Sequence, residues 1–407
     1  MRHVEKLSVL LMLLVWWLPV FAQDVETSPA QRFAASSAVR PDKCAVMVID
    51  LKTRKVVDSH NADAPLVPAS VTKAVTIASL LSKSGLDYRY HTKVYLGGKV
   101  DDGILEGDLI IKGGGDPTLG TDQAPGGSDF LNSIVKALKK KKVSAIRGKI
   151  AVDASVFPGP STPPSWAAGD LPHSYGTGCH GFNWQHNASG KRAVREPVPG
   201  FVSQLTSVLA RQGIDVLGDT LDSEPKGRPI VDHESEPVSE IMRYCMKQSD
   251  NLYAETFLRT LAMLHGKEAT PEKGAELEMK YWSRKGCPTS GVKIVDGSGL
   301  SRSDRITARF LADVLVKMAG NADYASFFPL AGVEGTLRNF LKGTRLEDYI
   351  ALKTGTMRGI QCYAGYMLDD DYAPTHAVVV LVNDFKGDRQ SVKNQVKTLL
   401  LDTFFPS

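Results

Sequence analysis

The chain has 407 residues, 43% of them hydrophobic and 23% charged, and its formal net charge is +4. This composition is typical of globular proteins and excludes disordered, collagen-like and coiled-coil chains. At about 150 residues per domain, the length predicts two or three domains, or one large domain with an insertion. Lys and Arg are scattered, and the densest run, 139–142, has the pattern of a solvated turn. We therefore expect no nucleic-acid partner.

The N-terminus has the pattern of a cleavable secretory signal. Arg2 and Lys6 precede a largely apolar run over 7–20, and Ala22 precedes the expected cleavage point. The run is short for a membrane anchor, which needs about 20 apolar residues. No cysteine lies near the cleavage point. We predict a signal peptide over 1–22 and a periplasmic or otherwise exported protein, with no lipid or transmembrane anchor and at most peripheral membrane association.

The first predicted elements are a β-hairpin and a buried helix. Strands over 44–51 and 55–59 precede a helix over 70–84, which Gly85 ends. The helix is apolar on most faces, as is typical of a helix inside a core. From about residue 90 the pattern changes to short strands with Gly- and Pro-rich loops. The strands predicted in this block cover 92–96, 108–112 and 145–152.

Helices resume after residue 230. One helix is predicted over 238–246 and another up to His265, with a break at 249–251. Turn-separated strands over 349–353, 361–368 and 376–383 predict an antiparallel meander, and a last helix covers 389–404. The sequence thus predicts an α+β protein in three parts: residues 23–89 and 231–407 form a discontinuous domain, and 90–230 form a β-rich inserted domain.

The first candidate catalytic motif is Ser70-Val71-Thr72-Lys73. A spacing of three residues puts Ser70 and Lys73 on one face of a helix. A serine hydroxyl needs a base within hydrogen-bonding reach, and an apolar helix would lower the pKa of the lysine enough to serve. Alone the motif is weak, because a serine at a helix start is usually a cap.

Two further motifs are equally weak when taken singly. Ser249, Asp250 and Asn251 interrupt two helices, where capping is the ordinary explanation. Lys353-Thr354-Gly355-Thr356 follows an apolar run, where a glycine often marks a bend. Together, however, SxxK, SDN and KTG occur in the order shared by class A β-lactamases and penicillin-binding proteins.

Longer segments over nearly all of the mature chain are also distinctive. They are PASVTK at 68–73, GDLIIKGGGDPTL at 107–119, KQSDNLYAE at 247–255, DGSGLSR at 296–302, AGVEGTL at 331–337, ALKTGTM at 351–357 and AGYM at 364–367. With these segments the chain resembles the D-Ala-D-Ala carboxypeptidase/endopeptidase family of low-molecular-mass class C penicillin-binding proteins, peptidase family S13. The resemblance implies a transpeptidase-like domain with a five-stranded antiparallel sheet, interrupted by inserted β-rich material. The length of 90–230 fits one compact inserted domain.

The resemblance also implies roles for the motif residues. Ser70 would attack the carbonyl between two D-alanines of a peptidoglycan stem peptide, and Lys73 would accept its proton. Ser249 would relay a proton to the leaving group, and Asn251 would hold Lys73 and the substrate amide. Such an enzyme acts through an acyl-enzyme, is acylated by β-lactam antibiotics and needs no metal or organic cofactor.

The family's substrate contacts map onto the last motif. Lys353 and Thr354 would bind the terminal carboxylate, and Gly355 would let the substrate backbone lie against the strand. The backbone N–H of Thr356, with that of Ser70, would form an oxyanion hole. Arg302 is a candidate for binding an acidic group of the stem peptide, and a surface arginine that supports its own loop is an equal alternative.

Two other functions remain open on the sequence. A β-lactamase of class A would carry a Glu four residues before an Asn, and neither Asn321 nor Asn339 has one. A catalytically idle wall-binding scaffold of the same fold would not need the intact motifs. The five cysteines form no CxxC pair, and Cys179, His180 and His186 lack the spacing of a metal site, so we expect no metal.

Overall fold

A computed structural model describes residues 27–122, 129–221 and 223–406, and the predicted signal peptide over 1–22 lies outside them. The helices are α1 Pro29–Ala35, α2 Thr72–Ser84, α3 Phe130–Lys140, α4 Pro197–Arg211, α5 Val238–Gln248, α6 Asn251–Leu264, α7 Pro271–Arg284, α8 Ala308–Met318, α9 Ala322–Ser326 and α10 Arg389–Phe404. The strands are β1 Cys44–Asp50, β2 Val56–His60, β3 His91–Leu96, β4 Val100–Asp101, β5 Ile104–Leu105, β6 Leu109–Lys112, β7 Ala145–Ile146, β8 Ile150–Asp153, β9 Ala188–Ser189, β10 Arg192–Ala193, β11 Asp215–Val216, β12 Lys226–Glu234, β13 Ile350–Met357, β14 Ile360–Leu368 and β15 Pro374–Asn383.

The main sheet has five antiparallel strands in the order β13-β14-β15-β1-β2. The predicted hairpin and meander are therefore both confirmed, and β1 joins them by pairing with β15 from Cys44↔Val382 to Asp50↔His376. Successive residues of β1 and β15 enter two different cores, one on each face of the sheet. This double burial explains why both strands are continuous apolar runs.

Helices cover both faces of this sheet. α2 and α5 to α8 contribute to the larger core, and α1 and α10 to the smaller one. The predicted burial of α2 is confirmed, since ten of its residues are buried. Gly85 ends α2 as predicted, with a φ of 70° that a residue with a side chain rarely adopts. A 3-10 turn, Ala69–Val71, precedes α2 and contains Ser70.

The segment between α2 and α5 contains a third core and two four-stranded sheets, β12-β3-β6-β8 and β11-β7-β5-β4. It also contains α3 and α4, which we did not predict. Both helices have buried apolar residues at helical spacing: Phe130, Ile134 and Leu138 in α3, and Phe201, Leu205 and Leu209 in α4. The predicted strand over 145–152 is wrong, because Gly148 separates β7 from β8. A Cβ on Gly148 would lie 2.1 Å from Asp108 Oδ1.

The division at 89/90 and 230/231 stays a prediction, and β12 runs across the second boundary as far as Glu234. All five cysteines are buried and free. Within the described ranges, no helix combines the length and apolarity needed to cross a membrane.

Candidate active site

The turn that holds Ser70 is sharply bent. Ala69 is fully buried and has a φ of 49°, which is unfavourable for a residue with a Cβ. Ser70 does not cap α2, since the N-cap position belongs to Val71 and has no side-chain hydrogen bond. The hydroxyl of Ser70 instead lies 3.1 Å from Lys73 Nζ. The ordinary capping explanation for this serine therefore does not apply.

Lys73 is fully buried and contacts three oxygens. Its Nζ donates to Asn251 Oδ1 at 2.6 Å and to the Ser298 carbonyl at 2.7 Å, besides the contact to Ser70. A neutral amine has two protons and one lone pair, so it can donate to both acceptors and accept from the Ser70 hydroxyl. Burial lowers the pKa of Lys73, although nearby groups, chiefly the Cys245 thiol, act in the opposite direction.

The three residues of the SDN turn have different structural roles. Ser249 ends α5 with a φ of 64°, in the left-handed region. Asp250 caps α6, because its side chain accepts from the Tyr253 N–H. Asn251 begins α6 and reaches Lys73 with its amide oxygen, while its Nδ2 donates to the Tyr175 carbonyl at 2.7 Å. Helix capping thus explains the Asp250 side chain, whereas the side chains of Ser249 and Asn251 are available to the site.

The KTG segment lies on β13, an edge strand of the main sheet. The buried Lys353 Nζ donates to Ser249 Oγ at 2.8 Å and to the Thr354 carbonyl at 2.8 Å. Burial lowers the pKa of Lys353 well below its usual value, and the Lys73 cation lowers it further. The Thr354 hydroxyl lies 2.8 Å from that of Thr336. An anion bound here would raise the pKa of Lys353 again, because it stabilises the charged form.

Gly355 packs against the turn that holds Ser70, and its predicted contact with the substrate backbone stays a prediction. A Cβ at this position would lie 2.5 Å from the Pro68 carbonyl oxygen and 3.2 Å from the Ser70 nitrogen. The absent side chain thus lets the Ser70 turn pack directly on β13. Gly355 is buried by that contact, which sets the distance between the SxxK and KTG motifs.

These residues surround an active-site cleft of about 230 Å³. It is lined by Ser70, Ser249, Thr336, Leu337, Phe340, Thr354, Thr356, Gln361, Tyr363 and Lys393. The structure thus brings the three motifs together. Arg302 is not among the lining residues: it is exposed, and its Nη2 donates to the Arg358 carbonyl at 2.9 Å. Its predicted contact with an acidic group of the substrate stays a prediction.

Behind the cleft, a buried loop fixes the Ser298 carbonyl that Lys73 uses. Glu255 Oε1 accepts from the N–H groups of Gly297 and Ser298, at 3.1 and 2.9 Å. Burial raises the pKa of Glu255 to about 7, and the nearby Asp296 carboxylate adds to this. Asp296 in turn accepts from the Trp166 indole N–H at 2.7 Å. The loop is part of DGSGLSR, a segment in which the sequence suggested a role only for Arg302.

The inserted segment reaches the same site. His186 Nε2 lies 2.6 Å from Asp250 Oδ2, with the two side chains 15% and 9% exposed. Burial alone would lower the pKa of His186, but Asp250 outweighs it and the pKa is raised. Burial would raise the pKa of Asp250, but the facing histidine reverses this. His186, Trp166 and the Tyr175 carbonyl therefore connect the insertion to the motifs.

The residues that we weighed as metal ligands have other neighbours. Cys179 is buried, 3.3 Å from the Thr256 hydroxyl, and His186 faces Asp250. Among the described residues there is no group of three or more His, Cys, Asp and Glu placed to hold a metal. The lining residues Thr336 and Phe340 were missed, although Thr336 lies in AGVEGTL. The sequence around Lys393 contains no motif that would place it in the site, because only folding brings α10 to the cleft.

A serine in a turn that packs on a five-stranded antiparallel sheet, beside a lysine buried in the helix that follows, is typical of the class of serine hydrolases with a penicillin-binding fold. The sequence profile of the D-Ala-D-Ala carboxypeptidase 3 (S13) family matches residues 30–189 and 177–401. The chain belongs to this family. The predicted enzyme class, a serine-type D-Ala-D-Ala carboxypeptidase, is thereby confirmed.

Several relatives are similar over most of the chain. Carboxypeptidase DacB of Mycolicibacterium smegmatis is 28% identical over 343 residues, 79% of this chain and 72% of that protein. The D-alanyl-D-alanine carboxypeptidase DacB of Haemophilus influenzae is 24% identical over 427 residues, 86% of each chain. The crystal structure of penicillin binding protein 4 from H. influenzae covers 89% of this chain and 96% of its own, with a TM-score of 0.77 and 21% identity. This likeness confirms the predicted fold class.

Proposed function

We propose that Ser70 is the nucleophile of a peptidoglycan D-Ala-D-Ala peptidase and that Lys73 is its base. The observation that carries this is the placement of Lys73 Nζ. Two carbonyl acceptors hold it 3.1 Å from the Ser70 hydroxyl, in a setting that lowers its pKa. That arrangement favours the neutral amine that proton abstraction requires.

In the acylation step, Ser70 Oγ bonds to the scissile carbonyl carbon as its proton passes to Lys73. The C–N bond then breaks, and the leaving amine takes up a proton. Ser249 relays this proton, since its hydroxyl lines the cleft and accepts a hydrogen bond from Lys353. Water then hydrolyses the ester, which releases the shortened peptide and restores the Ser70 hydroxyl.

Charge and backbone donors select the substrate. Lys353 and Thr354 bind the carboxylate that follows the scissile bond, and the resulting ion pair stabilises the lysine charge that burial disfavours. The backbone N–H groups of Ser70 and Thr356 form the oxyanion hole, one at the start of α2 and the other on the edge strand β13. Asn251 holds Lys73 and the substrate amide.

The proposed setting is the cell wall outside the cytoplasmic membrane. The signal pattern at 1–22 supports export. A penicillin G-acylated endopeptidase of Bdellovibrio bacteriovorus shares the fold at a TM-score of 0.54 and 17% identity, over 88% of this chain and 92% of its own. We infer that β-lactams acylate Ser70 here too, as mimics of the D-Ala-D-Ala unit.

The test is labelling of the 23–407 chain with fluorescent penicillin, followed by intact mass. Wild type should carry one adduct and Ser70→Ala none. Ser82→Ala is the matched control, because Ser82 lies near the end of α2 and its hydroxyl hydrogen-bonds to the Ala78 carbonyl. Failure of folded wild type to label would refute the mechanism and favour an idle scaffold. Rapid turnover of penicillin would instead favour a β-lactamase.

A further inference from the structure

The end of the main sheet at which β13 begins has much exposed apolar surface. β15 also begins there, β14 ends there, and β1 turns into β2 there. We name the surface formed by residues 51–57, 348–349 and 369–374 the sheet-end surface. Of the seven large hydrophobic side chains that are exposed in the described chain, five lie on this surface or beside it: Val56, Val57, Val333, Tyr349 and Tyr372. Clustering of this kind is typical of a protein interaction site.

Two cavities open on the side of the sheet-end surface that β13 and β14 form. Their volumes are about 620 and 550 Å³, and Leu368 lines both of them. The larger cavity is lined mainly by apolar side chains, among them Phe328 and Leu330. Tyr372 lines the larger cavity and Tyr349 the smaller one. An apolar side chain that entered either cavity from outside would lose contact with water, which favours binding.

The same side is acidic. Asp348 and the three aspartates at 369–371 contribute four carboxylates, and no ion pair in the described part of the chain involves any of them. The cations that line the two cavities, Lys247 and Arg345, are engaged with a glutamate and with an aromatic ring, respectively. This side therefore favours a partner that carries positive charge.

The opposite side of the sheet-end surface is basic. Three of the four residues at 52–55, in the turn between β1 and β2, are exposed cations, and within the described ranges none of them forms an ion pair. Asp50, which precedes the turn, accepts hydrogen bonds from Thr53. Val56 and Val57 follow the turn directly and are 48% and 49% exposed. The chain thus carries, on this side, a basic segment with apolar side chains.

The two sides complement each other across a two-fold axis. β2 and β13 are the outer strands of the sheet, four strand spacings or about 19 Å apart. A two-fold axis perpendicular to the sheet, placed between the ends of two copies, brings β2 of each copy opposite β13 of the other. Each acidic side then meets a basic turn, and Val56 and Val57 face the cavities of the second copy. Such self-complementarity is what an isologous dimer requires.

We propose that the sheet-end surface binds a second copy of this chain and forms a two-fold symmetric dimer. The valines and the cavities supply the apolar contact, and the charges fix the register and oppose other arrangements. None of the residues that line the active-site cleft belongs to the sheet-end surface. The proposal is therefore independent of the proposed function.

The test is sedimentation equilibrium of the 23–407 chain and of two variants with altered charge. Asp370→Lys/Asp371→Lys cancels the charge of the acidic side, because two carboxylates remain beside two new ammonium groups. Lys52→Glu/Lys55→Glu makes the basic turn net negative. Wild type should dimerise with a Kd of roughly 1 to 10 µM, the weak end for interfaces of standard size. Each variant should dimerise at least about tenfold more weakly, because the attraction between the two sides is lost.

An equimolar mixture of the two variants separates lost attraction from lost folding. In a heterodimer the intact basic turn of one variant meets the intact acidic side of the other, and the new lysines meet the new glutamates. The heterodimer should therefore form about tenfold more tightly than either homodimer, which a misfolded variant could not achieve. The matched control, Lys140→Glu/Lys141→Glu, alters exposed charges at the end of α3 and should dimerise like wild type.

Three results would overturn the proposal. Wild type that stays monomeric at about 100 µM would do so, and would favour a different protein as the partner of this surface. Variants that dimerise as tightly as wild type would show that the charged sides do not meet. A mixture that forms no heterodimer would exclude the proposed pairing of the acidic side with the basic turn.

Discussion

Replacing Gly355 with alanine tests whether packing of the Ser70 turn on β13 sets the catalytic geometry. The new Cβ would lie 2.5 Å from the Pro68 carbonyl oxygen, whereas ordinary contact begins at 3.4 Å. The turn must therefore move by about 0.9 Å, since the obstructing atom is backbone and cannot rotate away. Overpacking of this kind costs roughly 1 to 3 kcal/mol of stability. A misplacement of about 1 Å near a reacting group can cost around 100-fold in rate.

The assay is the second-order rate of acylation by fluorescent penicillin, with thermal unfolding measured in parallel. We expect Gly355→Ala to fold and to acylate about 100-fold more slowly than wild type. Gly200→Ala on α4 is the control, because nothing lies within 4 Å of its Cβ position. Acylation of folded Gly355→Ala within about threefold of wild type would refute the argument that this contact positions Ser70.

Three buried polar groups give further predictions. Burial raises the pKa of Glu278 to about 8, so the free energy of unfolding falls as pH rises toward that value. Wild type should lose roughly 4 kcal/mol between about pH 5 and 9 in urea unfolding for this reason, and Glu278→Gln should not show this loss. The pKa of His186 is raised and that of Asp250 is lowered, so their ion pair stabilises the fold at pH values where both side chains are charged. His186→Gln should therefore lower the free energy of unfolding by about 2 kcal/mol near pH 6 and by little near pH 9. Trp166→Phe removes a hydrogen bond to Asp296 and should cost roughly 1.5 to 3 kcal/mol in thermal unfolding, with about tenfold slower acylation.

Each of these variants has a matched control. Glu272→Gln changes an exposed acid on the same helix, and it should leave the pH profile of stability as in wild type. His265→Gln removes a histidine whose Nδ1 hydrogen-bonds to the Leu261 carbonyl. Trp184→Phe removes an indole hydrogen bond to the neutral Gln204, away from the cleft. A loss of stability in His186→Gln that does not change with pH would contradict the ion-pair argument. Acylation of Trp166→Phe at the wild-type rate would contradict the argument that the loop positions the Ser298 carbonyl.

The insertion shows where local sequence patterns failed. α3 and α4 were missed because the prediction treated 90–230 as β-rich throughout, although the buried residues of both helices follow helical spacing. One continuous strand was predicted over 145–152 because its residues favour strands. The strand is interrupted at Gly148, where a Cβ would clash with the Asp108 side chain. Short elements depend on contacts with distant neighbours, and local propensity does not contain that information.

The sequence by itself determined the parts whose signal is local or motif-borne. Apolar runs predicted β1 and β15 as strands, and the order of SxxK, SDN and KTG, with the longer segments, predicted the family. The tertiary structure decided which neighbours these residues acquired. In the folded chain, Lys73 donates to the Ser298 carbonyl, and the Ser70 turn packs against Gly355. His186 faces Asp250, and Lys393 lines the cleft. The physical reason is that a residue's charge and acidity depend on burial and on partners brought from far along the chain, and only the packed fold supplies both.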